Sequence, residues 1–177
     1  MGQITLVTGG ARSGKSSFAL SLAEETQSLH RVFIASAVAL DQEMRERIQK
    51  HQAERGGKFK TVEAPYDPCA AINGLPEHSV AILDCLTVWL GNLFHKHNAA
   101  EASLACEIDQ FANCLAEYKS RGKGCLIMVT NEIGWGIVPA DATTRLFRDT
   151  AGRLNSRMAV LADDVYLCAC GLPLKLK

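Results

Sequence analysis

The stretch that most constrains this 177-residue chain is Gly9-Gly10-Ala11-Arg12-Ser13-Gly14-Lys15-Ser16, which matches GxxxxGK[ST]. Ile4-Thr5-Leu6-Val7 before it is an apolar run of buried-strand length, and Phe18, Leu20, Leu22 and Ala23 after it stand among good helix formers. Strand, tight loop and helix in that order give the glycines a purpose. They let the backbone turn its N–H groups inward around an anion, and the helix adds unpaired N–H groups and its positive end. Lys15 then reaches the outer phosphates and Ser16 sets its hydroxyl on magnesium, which makes residues 9–16 a candidate nucleotide site. The competing account is a glycine-rich turn that happens to fit the pattern.

Apolar runs recur along the rest of the chain with helical stretches between them. Residues 31–35, 80–84, 125–129 and 164–169 read as strands, and 60–63 as a short extended piece. Residues 101–118 read as a helix striped by Leu104, Ile108, Phe111 and Leu115, and residues 144–161 as another. Pro65, Pro68 and Pro76 mark a looping excursion, and 172–177 a short edge strand. This alternation predicts one domain over 1–177: an α/β, three-layer, mainly parallel sheet of the P-loop nucleotide-binding kind.

Nineteen basic against nineteen acidic side chains leave no net field to recruit nucleic acid or an anionic membrane. No apolar run reaches membrane-spanning length, and the N-terminus lacks a leader's basic and apolar regions, so the expected location is the cytoplasm. Most of the seven cysteines read as small core residues. Cys168 and Cys170, at period two, are expected on one strand face, packing rather than binding metal. His95 and His97 end a probable helix with no acidic or cysteine partner at metal-ligand spacing.

Polar residues at strand ends supply the remaining site candidates, because open α/β sheets bind ligands there. Ala35, Ser36 and Ala37 read equally as pocket wall or plain turn. Asp84 closes an apolar strand, either to place magnesium opposite Ser16 or to cap the helix that starts at Leu86. The helix expected over 41–54, closed by Gly56-Gly57, aligns Leu40, Met44, Ile48 and His51 on one stripe, with Arg47 and Arg55 four residues to either side of His51. His51 is thus a candidate nucleophile or phosphate ligand, or a member of a solvated face. Thr130-Asn131-Glu132 ends a further strand. The 134–139 loop, with Trp135, Ile137 and Val138, suits a bulky apolar ligand, another subunit or its own core. The helix over 144–161 carries Arg145, Arg148, Asp149, Arg153, Asn155 and Arg157; three of its arginines can meet phosphate or a neighbouring subunit, or line a solvated face. A compact domain with no second unit to transmit nucleotide state favours phosphoryl transfer to a small molecule.

An ordered set of elements then extends over essentially the whole chain. It runs from Thr8-Gly-Gly-Ala-Arg-Ser-Gly-Lys-Ser16 through Asp41-x-Glu43-Met44, Arg47-Ile48-x-x-His51 and Asp84-Cys85-Leu86-Thr87, with Trp89 and Asn92. It continues in Thr130-Asn131-Glu132-x-Gly134-x-Gly136-Ile137-Val138-Pro139, Phe147-Arg148-Asp149-x-x-Gly152-x-x-Asn155 and Gly171-x-Pro173-x-x-Leu176-Lys177. In these elements the chain resembles the bifunctional adenosylcobinamide kinase and adenosylcobinamide-phosphate guanylyltransferase family of cobalamin biosynthesis. The resemblance implies that His51 becomes guanylylated, and that the guanine nucleotide is held by residues 9–16, Ala35, Ser36, Ala37, Gln52, Ala53, Glu54, Arg55, Glu63 and Asp84. It also implies GTP with ATP as a further candidate for the kinase step, adenosylcobinamide and its phosphate as partners, and a homotrimer, while Mg2+ at Ser16 and Asp84 rests on the loop motif and the strand end. Phe59 stands where the family often has tryptophan, and Ser156 where glutamine commonly follows the asparagine. Two rival readings remain open at this point: a kinase for another small metabolite, with His51 as a phosphate contact, and a non-enzymatic nucleotide-binding assembly protein.

Overall fold

The computed structural model describes residues 2–39, 42, 45, 46, 49, 52, 53, 56–121 and 124–177. Its strands are β1 (Gln3–Gly9), β2 (Arg31–Ala35), β3 (Lys60–Glu63), β4 (Ser79–Asp84), β5 (Gly124–Val129), β6 (Asp164–Ala169) and β7 (Leu172–Lys175). They form one sheet in the order β3-β2-β4-β5-β1-β6-β7, parallel throughout except for the β6–β7 pair. Helices with both ends among the described residues are α1 (Lys15–Glu25), α2 (Pro68–Asn73), α3 (Leu86–Lys96), α4 (Glu101–Arg121) and α5 (Ala142–Leu161).

Central strands of a parallel sheet are covered on both faces, which is why β1, β4 and β5 read as almost unbroken apolar runs. Alternate residues of each serve opposite cores. Val80 and Ile82 pack with Val7, Ile127 and Val129 against Ala19 and Ala23 of α1. Ala81 and Leu83 face the other way, with Ile4, Leu6, Leu126 and Met128, into a larger core closed by Trp89, Leu93, Phe111, Leu115 and Leu154. Three layers result, as the alternation of elements predicts. The register sets Glu63 beside Ala35, Ala35 beside Asp84, Asp84 beside Val129 and Val129 beside Val7, so the strand ends picked out above share one edge of the sheet.

The structure corrects several sequence expectations. Within the proline-marked excursion the chain forms α2, because Asp67 accepts a hydrogen bond from the Ala70 N–H and Pro68 occupies the first turn, where its missing N–H costs nothing. Cys168 is buried, but Cys170 is exposed: β6 ends at Ala169, and Cys170 turns into the left-handed region at φ 52°. Cys106 is exposed too. The expectation for His97 stands, since its acidic neighbour is ten residues away: Glu107 of α4 brings Oε1 to 2.8 Å from its Nε2 and takes a 2.8 Å hydrogen bond from Lys96 Nζ. Among the described residues, no helix is long and apolar enough to cross a membrane.

Candidate functional site

The glycine-rich loop leaves β1 through a conformation that only glycine fits. Gly9 has φ +151°, and a Cβ there would lie 2.3 Å from the Cys168 carbonyl oxygen and 2.7 Å from Ser13 Oγ. Gly14 enters α1 at φ +93°, where a Cβ would stand 3.0 Å from Gly171 Cα. The Gly171 N–H donates to the Ser13 carbonyl at 3.1 Å, so the turn between β6 and β7 braces the loop from outside. Gly10, Ala11 and Arg12 are exposed at its tip, with Arg12 at φ 55°.

Lys15 folds back into this loop. Its side chain is buried and Nζ donates to the Gly10 carbonyl at 2.6 Å. Burial is the main cause that lowers the ammonium from its ordinary value, and Asp84 is among the groups opposing the shift. Among the described residues, the buried hydroxyls of Thr8 and Ser13 have no hydrogen-bond partner. Such groups are costly unless satisfied, and both belong to the strand end and loop where an anion would sit.

Ser16 Oγ donates to Asp84 Oδ2 at 2.9 Å, joining the start of α1 to the end of β4 across 68 residues of sequence. The residue in the capping position of α3 is Cys85, which makes no side-chain cap bond, so the capping account of Asp84 gives way to the one that faces Ser16. Burial, and then Asp84, push the Cys85 thiol up to about 12, which leaves it un-ionised at neutral pH. Ser36 is fully buried: its Oγ accepts from the Cys85 N–H at 2.7 Å and donates to the Cys85 carbonyl at 2.9 Å, while its own N–H donates to the Asp84 carbonyl at 3.2 Å. Asn92 Nδ2 donates to the carbonyls of Ser36 and Pro65, each at 2.8 Å. Ser36 is therefore fixed to the Asp84 end of β4. Glu63 ends β3 in register with Ala35, and the Ala64 N–H donates to the Ala35 carbonyl at 2.8 Å.

The end of β5 closes on the same loop. The Thr130 N–H donates to Val7 O at 3.0 Å and the Glu132 N–H to Gly9 O at 2.9 Å. Thr130 Oγ1 donates to Asn155 Oδ1 at 2.7 Å, Asn155 Nδ2 donates to Asn131 O at 3.0 Å, and Thr87 Oγ1 accepts the Asn131 N–H at 2.7 Å. Thr87, Asn92 and Asn155 had no assigned role in the sequence; polar residues at otherwise apolar helix positions were the available signal.

The structure thus brings together Lys15, Ser16, Asp84 and Ser36, with Glu63 in register beside Ala35 at the strand ends. His51, Glu54 and Arg55 lie outside the described residues, as do Leu40, Met44, Arg47 and Ile48 of the same stretch. Gln52 and Ala53 are described, and with Gln42, Arg45, Glu46 and Gln49 they present an exposed helical face. Among the described residues, no group of three or more His, Cys, Asp and Glu side chains could hold a metal.

Known proteins resemble this chain in sequence and in fold. The profile of the family described as cobinamide kinase / cobinamide phosphate guanyltransferase matches residues 5–176. The bifunctional adenosylcobalamin biosynthesis protein CobU of Salmonella typhimurium is 36% identical over 181 residues, covering 97% of this chain and 98% of that one. The corresponding CobP of Pseudomonas aeruginosa is 38% identical over 173 residues, covering 97% and 96%. Among solved structures, protein PH0250 of Pyrococcus horikoshii OT3 superposes with a TM-score of 0.60 at 7% identity, over 99% of this chain and 86% of that one. A second solved structure, an ATPase domain, gives a TM-score of 0.50 at 12% identity, over 93% and 68%. These two likenesses concern the fold.

Proposed function

The chain belongs to the cobinamide kinase / cobinamide phosphate guanyltransferase family, and from that premise we propose that it makes adenosylcobinamide phosphate and joins it to GMP, giving adenosylcobinamide-GDP. The observation that carries the reading is the meeting of Lys15, Ser16 and Asp84 at one loop in a chain of this family. In the kinase step the acceptor hydroxyl attacks the γ-phosphorus of GTP or ATP, and the bond to the β,γ-bridging oxygen breaks. Loop N–H groups and Lys15 neutralise the phosphate charge, and no protein nucleophile is required.

In the guanylyl step a nitrogen of His51 attacks the α-phosphorus of GTP, and the bond to the α,β-bridging oxygen breaks to release pyrophosphate. An oxygen of the acceptor phosphate then attacks the same phosphorus; the P–N bond breaks, and the imidazole recovers its electron pair. Residues 9–16, Ala35, Ser36, Ala37, Gln52, Ala53, Glu54, Arg55, Glu63 and Asp84 hold the guanine nucleotide in this reading. A magnesium ion fits Ser16 and Asp84 chemically, since both are hard oxygen donors and magnesium takes few protein ligands beside substrate phosphates; when bound it supplies charge neutralisation. We place the reaction in the cytoplasm, and the working form as a homotrimer.

The test is retention of label from α-labelled GTP after denaturation. Wild-type protein is expected to carry an acid-labile, base-stable adduct, and His51→Ala to lose both the adduct and guanylyl transfer while keeping kinase turnover within about tenfold. An adduct that persists in His51→Ala removes His51 from the mechanism.

A further inference from the structure

Against the β5 terminus lies an open trough of about 600 Å³, which the reaction above does not use. Arg148, Asp149, Gly152, Arg153 and Ser156 of α5 form one wall and Gly134 the other. Steps of three and four residues put these α5 positions on one stripe of the helix. Hydrogen bonds tie both walls to the end of β5, and the Gly134 wall through it to the glycine-rich loop. The Gly134 N–H donates to Glu132 Oε1 at 3.1 Å, and the Glu132 N–H donates to Gly9 O at 2.9 Å. On the α5 side, Asn155, next to Ser156, holds Thr130 and Asn131. The trough therefore opens at the end of β5, with its Gly134 wall joined through Glu132 to Gly9.

Its chemistry is that of an anion site. The Arg148 side chain is only 20% exposed, and Asp149 holds its guanidinium in place at 3.2 Å. Arg153 donates to Thr150 Oγ1 at 3.3 Å, a long bond that leaves most of its donors for a ligand. Gly134 and Gly152 add no side chain that would keep a ligand away. Two carboxylates stand at the trough, Asp149 paired with Arg148 and Glu132 accepting from the Gly134 N–H, whereas Arg153 bonds the neutral Thr150 hydroxyl; its planar guanidinium fork matches phosphate oxygens. The nucleotide's own phosphates have residues 9–16, so the trough is left for the other phosphate in the reaction.

Resting on the proposed reaction, we infer that Arg148 and Arg153 bind the phosphate monoester of the corrinoid acceptor and hold its oxygen for attack on the guanylyl phosphorus. The trough takes the phosphate-bearing arm, and the corrin ring stays outside. Before phosphorylation the same arm ends in a neutral hydroxyl, which the two arginines have no charge to grip. They consequently discriminate between the two acceptors, and the kinase product gains a hold that the kinase substrate lacks.

The test compares wild type with Arg148→Gln, Arg153→Gln and the double variant. It measures KM for adenosylcobinamide in the kinase step, KM for adenosylcobinamide phosphate in the guanylyl step, and the yield of the enzyme–GMP adduct. Loss of charge-assisted phosphate contacts is expected to raise KM for the phosphorylated acceptor roughly ten- to a hundredfold in the double variant. KM for the hydroxyl acceptor should rise less than threefold, and adduct yield should persist, which also reports an intact fold. Lysine at both positions should restore part of the loss. Equal KM changes for both acceptors, no change for either, loss of the adduct, or dissociation of the assembly in the variants each overturn the inference. A wild-type protein that forms no adduct and uses neither acceptor overturns the reaction itself instead.

Discussion

At the scale of single residues, the site rests on Asp84 touching Ser16. Lys15 stands beside them, and its burial lowers the ammonium's pKa; a bound phosphate supplies the negative charge that favours protonation. Asp84→Asn keeps the size of the side chain and an oxygen that can accept from Ser16, but removes the charge. The magnesium concentration for half-maximal turnover is expected to rise about tenfold and the rate to fall ten- to a hundredfold, with cooperative unfolding retained. A magnesium titration with unchanged midpoint and rate would separate Asp84 from the metal. Lys15, Ser16 and Asp84 were legible because a short motif and a strand end encode their places locally. Asn92 and Asn155 were not, because their roles come from partners distant in sequence: Asn92 meets Ser36 56 positions away, and Asn155 meets Thr130 25 positions away. Such pairings follow from the register of the sheet, which no local pattern states.

At the scale of elements, periodicity located the central strands and the long helices, since each must present a continuous apolar face to one of two cores. The six-residue α2 escaped because prolines usually mark a break, and only the Asp67-Pro68 pair indicated a start. The clasp between α3 and α4 escaped for a different reason: Glu107 reaches Lys96 and His97 from the next helix, at no ligand-like spacing. The hydrogen bond from Lys96, and secondarily that from His97, lowers the Glu107 carboxyl from its ordinary value. A depressed folded-state pKa means that the stabilisation is fully present above the ordinary carboxylate range and is lost as pH falls through the lower folded value. Glu107→Gln is therefore expected to cost about 1 kcal/mol at pH 7, the scale of a partly covered charged clasp, and less at a pH well below the ordinary carboxylate range. Urea unfolding of both proteins at the two pH values measures the difference, and an equal cost at both would detach it from the carboxylate charge.

At the scale of the whole molecule, six of the nine large apolar side chains exposed among the described residues lie in two segments. Trp135, Ile137 and Val138 lie in the loop after β5, with Trp135 at 76% exposure, and Leu172, Leu174 and Leu176 run along β7 and just beyond it. β7 is the outer strand of the sheet, paired to β6 on one side only. An edge strand with apolar side chains and an open row of backbone groups invites association unless something covers it, and a second copy of the chain is the economical cover. The family resemblance sets the number at three. Sedimentation equilibrium should then give a particle of about 58 kDa, three times the 19.2 kDa chain. Leu174, 60% exposed and paired in register with Leu167, is the position to charge. Leu174→Glu leaves the β6–β7 backbone bonds available but puts a carboxylate at the proposed contact, so the particle should fall toward single-chain mass at micromolar concentration. If β7 only closes the fold, Leu174→Glu changes no particle mass; a wild-type protein that is monomeric and fully active at assay concentration refutes the trimer outright.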